Sequence, residues 1–112
     1  MGWNTMIRTE KAKYETLAKV LKALANPARL KLVDVLAEHD EVCVCDLTEV
    51  IGMDMSTVSR HLTQLKSAGI VASDKRGQMV FYSLRVKCLR TLFGCIESVV
   101  KGHVDQQLKV LS

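Results

Sequence analysis

Gly52 and Gly69 close two short apolar-periodic stretches that are separated only by Met53-Asp54-Met55. That spacing constrains the fold of this chain more than any other feature. Asp46 suits the cap or first turn of the earlier stretch, which runs through Val50-Ile51 to Gly52, a residue that readily takes the left-handed conformation at a helix end. Ser56 is placed to cap the later stretch, where Val58, Leu62 and Leu65 recur on one side and Gly69 supplies the stop. Two helices joined by so tight a turn make a helix-turn-helix.

The flanking segments complete a fold around it. Tyr14, Leu17, Ala18, Leu21, Leu24 and Ala25 form the stripe of an amphipathic helix from about Thr9 to Ala25. Asn26-Pro27 ends that helix and starts the next, with Leu30, Val33, Leu36 and Ala37 as the inward face. His39-Asp40-Glu41 reads as a loop. Ile70 to Asp74 and Met79 to Leu84 are rich in β-branched and aromatic residues and are separated by Lys75-Arg76-Gly77-Gln78, so they predict a hairpin with a basic tip, the wing of a winged helix. Val86, Leu89, Phe93, Ile96 and Val100 recur at steps of three and four, flanked by Leu92 and Val99, a sector wide enough for a core and a second subunit. The expected fold is mainly α with a β-hairpin wing: one winged helix-turn-helix domain over residues 1–112. Residues 1–8 read as a flexible arm in which Trp3 is either disordered or packed on the dimer, and residues 85–110 as a dimerisation helix.

A chain of 112 residues holds one core, and its 48% hydrophobic content exceeds what one small core covers. A homodimer through the terminal helices is expected, with Leu17, Leu21, Leu89, Phe93, Ile96 and Val100 at its interface. The formal charge of +4 permits an anionic partner without demanding one. No run approaches the roughly 18 apolar residues of a membrane span, and the start lacks the apolar core of a signal peptide, so the expected location is cytoplasmic. Four cysteines, Cys43, Cys45, Cys88 and Cys95, are then reduced, and metal or redox chemistry competes with simple burial.

Opposite Val58, Leu62 and Leu65, the second motif helix presents Ser56, Ser59, Arg60, Thr63, Gln64 and Ser67, with Thr57 and His61 beside them. An ordinary solvated face includes acids, but Met55 to Ile70 has none. Arg bonds guanine at two places, Gln does the same with adenine, and hydroxyls bind phosphate, so this face suits a major groove. Lys75 and Arg76 at the hairpin are then phosphate or minor-groove contacts. The expected partner is double-stranded operator DNA carrying an inverted repeat.

Burial as a small hydrophobe is the ordinary reading of Cys88 and Cys95. Seven residues apart on one helix, they stand roughly 10 Å apart along its axis, too far for one ion. Cys43 and Cys45, one residue apart at a helix start, can aim both sulfurs to one side with Val44 facing the core. Soft thiolates select trivalent arsenic or antimony, or zinc, cadmium and lead. Among the histidines, loop residue His39 is at most a spare ligand, and His103 extends the apolar stripe of the last helix.

The stretch Glu41-Val42-Cys43-Val44-Cys45-Asp46-Leu47 resembles the metal box of arsenic-responsive repressors in the ArsR/SmtB family, differing only at Val42, where the family has Leu. Leu24-Ala25-Asn26-Pro27-Ala28-Arg29-Leu30 looks like that family's second-helix start, and Ser56-Thr57-Val58-Ser59-Arg60-His61-Leu62 like its recognition helix. The likeness runs from about Leu17 to Val100. It implies a homodimeric repressor of a metalloid-resistance operon, released from operator DNA by trivalent arsenic or antimony at Cys43 and Cys45. Enterobacterial members carry a third cysteine where this chain has Thr48, which leaves Cys88, Cys95, a small cellular thiol or nothing as third ligand. The family's cadmium and lead sensors add cysteines from the N-terminal arm, and none precedes Cys43 here. Its zinc sensors use acids and histidines at positions held here by Val86, Cys88, Val99 and Gly102. Alternatives on the same fold are sensing of cadmium, lead or zinc, and a thiol redox or persulfide switch. An enzyme is not expected: the spacing is C-x-C rather than C-x-x-C, and no general base accompanies the pair.

Overall fold

Asn26 takes an extended backbone between the first two helices, and its side-chain oxygen accepts from the Ala28 and Arg29 amides at 2.9 and 3.2 Å. Pro27 at the first helical position forfeits no bond, because that amide has no partner inside a helix. In this computed structural model, which describes the backbone of residues 2–111 and the side-chain surroundings of residues 10–107, the elements run α1 (Gly2–Leu24), α2 (Pro27–Glu38), β1 (Val42–Cys43), α3 (Val44–Ile51), α4 (Met55–Ser67), β2 (Val71–Arg76), β3 (Met79–Leu84) and α5 (Leu89–Leu111). The sheet is antiparallel in the order β1-β3-β2.

Glycine conformation sets both ends of the helix-turn-helix. Gly52 takes φ +75° and its amide bonds the Thr48 carbonyl, closing α3. At the end of α4, Gly69 takes φ +81°, its amide bonds the Lys66 carbonyl and the Ile70 amide reaches back to Leu65. This is a Schellman stop, with Leu65 and Ile70 both buried beside it. The start of α4 differs from the expectation. Asp54, not Ser56, is the N-cap, accepting from the Thr57 amide at 3.1 Å, because the helix begins two residues earlier than Ser56 requires.

Leu32, Val33 and Leu36 of α2, Leu47 of α3, Val58, Leu62 and Leu65 of α4, Ile70, Val71, Tyr82 and Leu84 around the sheet, Leu24 of α1 and Leu89 of α5 form one buried cluster. Leu32, rather than Leu30, anchors the inner face of α2; Leu30 is 40% exposed. α1 runs unbroken from Gly2, where a flexible arm through residue 8 was expected. No proline interrupts that segment. The side chain of Trp3 lies outside the described residues. The hairpin turn is the two residues Gly77-Gln78, with Gly77 at φ +63° as a tight turn of the primed kind demands. Lys75 and Arg76 therefore belong to β2 and not to a loop at the tip. Cys88 sits in the turn before α5 rather than on the helix with Cys95.

Candidate inducer site and nucleic-acid interface

Cys43 closes β1 and caps α3. As a strand residue it pairs with Phe81 of β3, and as an N-cap its Sγ accepts from the Asp46 amide at 3.4 Å. Its side chain is 6% exposed, whereas Cys45, in the first turn of α3, is exposed. The two therefore do not share one environment, but they line one cavity of about 250 Å³ together with Val44, Met55, Ser59, Gln78, Met79, Val80 and Tyr82. Met55 and Ser59 come from the start of α4, and Gln78 to Val80 from the turn and the first strand residues of β3 in the wing. A ligand held there touches the first helix of the motif, the second helix and the wing at once. Sequence reasoning missed this junction because β1 is only two residues long and carries no alternation to read.

A third ligand from the protein's hard or nitrogen donors is not at hand. Among the described residues no three His, Cys, Asp or Glu side chains converge, and Cys88 and Cys95 are both exposed. The Thr48 hydroxyl is buried and finds no partner among the described residues. The thiol pair suits a thiophilic ion whose remaining coordination does not come from a third His, Cys, Asp or Glu among the described residues.

The face opposite the core of α4 divides into free and engaged side chains. Arg60, Thr63 and Gln64 are exposed, and among the described residues Arg60 and Gln64 make no side-chain hydrogen bond. Thr63 returns its hydroxyl to the Ser59 carbonyl at 2.8 Å. Both hydroxyls nearest the helix start, those of Ser56 and Thr57, donate to the Asp54 carboxylate. These bonds, Ser56 first, hold the Asp54 carboxyl down to about 2. The recognition helix thus carries an ionised acid at its N-terminus, just outside the acid-free stretch the sequence displays.

His61 is half-buried and accepts at Nδ1 from the Arg29 guanidinium at 3.1 Å, while Arg29 also donates to the Ala23 carbonyl at 3.3 Å. Desolvation, then the charges of Arg29 and Arg60, push the His61 pKa below its ordinary value. The imidazole is neutral, and since Nδ1 accepts, its proton sits on Nε2. One arginine of α2 therefore ties the end of α1 to the recognition helix. In the wing, Arg76 pairs with Glu41 at 2.6 Å and with Asp74 at 2.9 Å, and lies 4.7 Å over the Phe81 ring. Glu41, then Asp74, hold its proton more firmly than usual. Lys66 donates to Ser73 at 2.7 Å, and Lys75 is exposed.

Of the expected dimer residues, Leu17, Leu21, Ile96 and Val100 are 47–57% exposed. Leu89 is a correction. It is buried in the chain's own core at 7% exposure, where α5 begins and packs against α2. Phe93 is partly buried against the same core and lines, with Leu30 and Ile96, an apolar groove of about 270 Å³ between α2 and α5. No helix among the described residues is long and apolar enough to cross a membrane.

Residues 26–73 match the family described as bacterial regulatory protein, arsR family. An arsenic resistance transcriptional regulator of Pseudomonas putida is 34% identical over 93 residues, covering 83% of this chain and 70% of that protein. A cadmium resistance transcriptional regulatory protein of Listeria innocua is 42% identical over 64 residues, 57% of this chain and 54% of that protein, so the chain spans about half of that relative. Among solved structures, the homodimeric winged helix-turn-helix DNA-binding domain of a possible ArsR-family regulator from Mycobacterium bovis superposes with a TM-score of 0.73 at 32% identity, over 87% of this chain and 89% of that one. A motif helix with an open polar face, a wing beside it and relatives matched along both lead to one conclusion: this chain belongs to the arsR family of winged helix-turn-helix transcriptional regulators and is not an enzyme.

Proposed function

We propose that this protein is a homodimeric repressor that holds an inverted-repeat operator and leaves it when Cys43 and Cys45 capture trivalent arsenic or antimony. The observation that carries the reading is the shared cavity, in which both thiols meet the start of α4 and the turn end of the wing. Capture is a ligand exchange. Each thiol gives its proton to a hydroxide of arsenous acid, which leaves as water while a sulfur–arsenic bond forms. Two thiols produce a dithiolate that keeps one hydroxide, and a small cellular thiol can replace that hydroxide in the same way. No electron changes hands. Because Cys43 is the cap of α3, drawing its sulfur onto an ion shared with Cys45 removes the acceptor from the Asp46 amide and distorts the opening turn of the motif. α4 then tilts out of register with the groove.

Arg60 and Gln64 read bases, Lys75 holds phosphates, and the two reading helices of a dimer enter successive major grooves about one helical turn apart. The dimer reading is supported by surface. An ordinary folded monomer of 12.5 kDa exposes about 6,200 Å², whereas this chain exposes 8402 Å². Coupling between two sites is typically about 1–3 kcal/mol, and a swing from nearly all bound to nearly all free needs about 5.5 kcal/mol, so two sites per dimer must act together.

Relatives named for arsenic and for cadmium resistance set the panel that tests the inducer. Fluorescence anisotropy on an inverted repeat from the protein's own promoter, titrated with arsenite, antimonite, cadmium, lead and zinc, should show release at the lowest concentrations with arsenite or antimonite. Release by cadmium alone would overturn the metalloid assignment.

A further inference from the structure

The cavity holds more sulfur than the cysteine pair. Met55, the first residue of α4, and Met79, the first of β3, line it beside Cys43 and Cys45. Both methionines are about half exposed, at 51% and 46%. Neither is spent on the core, and a thioether on three rotatable bonds adapts to what it meets. Two thiols and two thioethers thus surround one space, and among the described residues no third His, Cys, Asp or Glu joins the pair.

Thioethers and thiolates differ in what they can bind. A thioether has no proton to exchange for hydroxide, so it cannot replace the third oxygen of a trivalent arsenic centre. A soft monovalent cation asks only for a polarisable lone pair, and mixed thiolate and thioether sets select copper(I). We propose that Cys43, Cys45, Met55 and Met79 form a copper(I) site, with the two thiolates as anchors and at least one thioether completing the coordination. The proposal rests on the reading that the cysteine pair is a ligand site, and it extends that site to a second class of ion. Copper(I) held by Met55 or Met79 joins α3 directly to the recognition helix or the wing, a link that a dithiolate alone does not make.

The test uses the full chain, without DNA or arsenite. Copper supplied as copper(I) under anaerobic conditions is titrated against a chromophoric copper(I) chelator. Copper-edge X-ray absorption is then measured on protein carrying selenomethionine. The expected results are a selenium neighbour at copper and more than two sulfur or selenium ligands in all. Met55→Leu with Met79→Leu, which keeps side-chain volume, should remove the selenium shell and weaken copper(I) by about 10–100-fold, the range over which changes around a metal's ligands alter affinity. A wild-type copper centre with two sulfurs and no selenium overturns the proposal, and that result does not depend on the double variant folding. A selenium shell in a protein that ignores arsenite supports the copper site while sinking the metalloid reading. Arsenite release with two-sulfur copper does the reverse.

Discussion

Cys43 is both the cap of α3 and a candidate ligand, and the two roles separate by substitution. Serine is among the strongest N-caps, so Cys43→Ser keeps an acceptor for the Asp46 amide and should fold with stability within about 1 kcal/mol of the parent, whereas Cys43→Ala should cost about 0.5–2 kcal/mol. Urea denaturation of the two variants measures this, and equal losses would show that capping is not what the sulfur does. His61 makes a pH prediction. Its folded pKa is depressed by desolvation, then by Arg29 and Arg60, so below its ordinary 6.5 the unfolded chain takes up a proton that the folded chain refuses. Stability is then full above 6.5 and falls as the pH drops toward the folded value. His61→Gln should flatten that part of the melting profile, and a slope identical to wild type would mean that other groups set it. At this scale the sequence was partly legible. The cysteine box and the open arginine and glutamine were plain, but the engagement of Ser56 and Thr57 with Asp54 depends on where α4 starts, and periodicity places helix ends only to within a few residues.

Among the elements, the proposed DNA reading assigns different parts to α4 and the wing. Arg60→Ala and Gln64→Ala should each cost roughly 1–3 kcal/mol on the preferred operator and relax its sequence preference, which a set of single-base operator variants would measure. Arg76 starts from internal pairing with Glu41 and Asp74. Glu41→Gln with Asp74→Asn should free it and raise affinity for unrelated DNA with a steeper salt dependence. Unchanged affinity would mean that the wing arginine stays clear of phosphate. Helical periodicity and the glycine stops made α2, α3, α4 and the hairpin readable. β1 was not, because two residues give no pattern and the strand exists only through its pairing with β3. The same short strand puts Cys43 against the wing, so the part of the fold that joins the two functional regions was the part hidden from sequence.

As a single chain the molecule leaves a wide apolar surface uncovered. A radius of gyration of 17.9 Å and extents of 56 × 53 × 22 Å compare with about 13 Å expected for a compact chain of this length, because α1 and α5 reach beyond the core. Their outer sides carry Leu17, Leu21, Ile96, Val99 and Val100, all exposed. Ile96→Glu should place an unpaired charge in that seam, so the dimer and the DNA affinity are lost together; a variant that sediments as a dimer would put the seam elsewhere. Amphipathic width in the sequence pointed to this second surface, while the assignment of Leu89 to it failed because one stripe serves two partners and only the packed first turn of α5 shows which residues each one takes. On the proposed function the cysteine pair, and not the rest of the molecule, senses the inducer. Cys45 is exposed and makes no structural bond among the described residues, so Cys45→Ser isolates its chemistry. In fluorescence anisotropy on the operator, Cys45→Ser should bind DNA as wild type does and remain bound at arsenite concentrations that release wild type; release of the variant at the wild-type concentration would place the inducer site outside the cysteine pair.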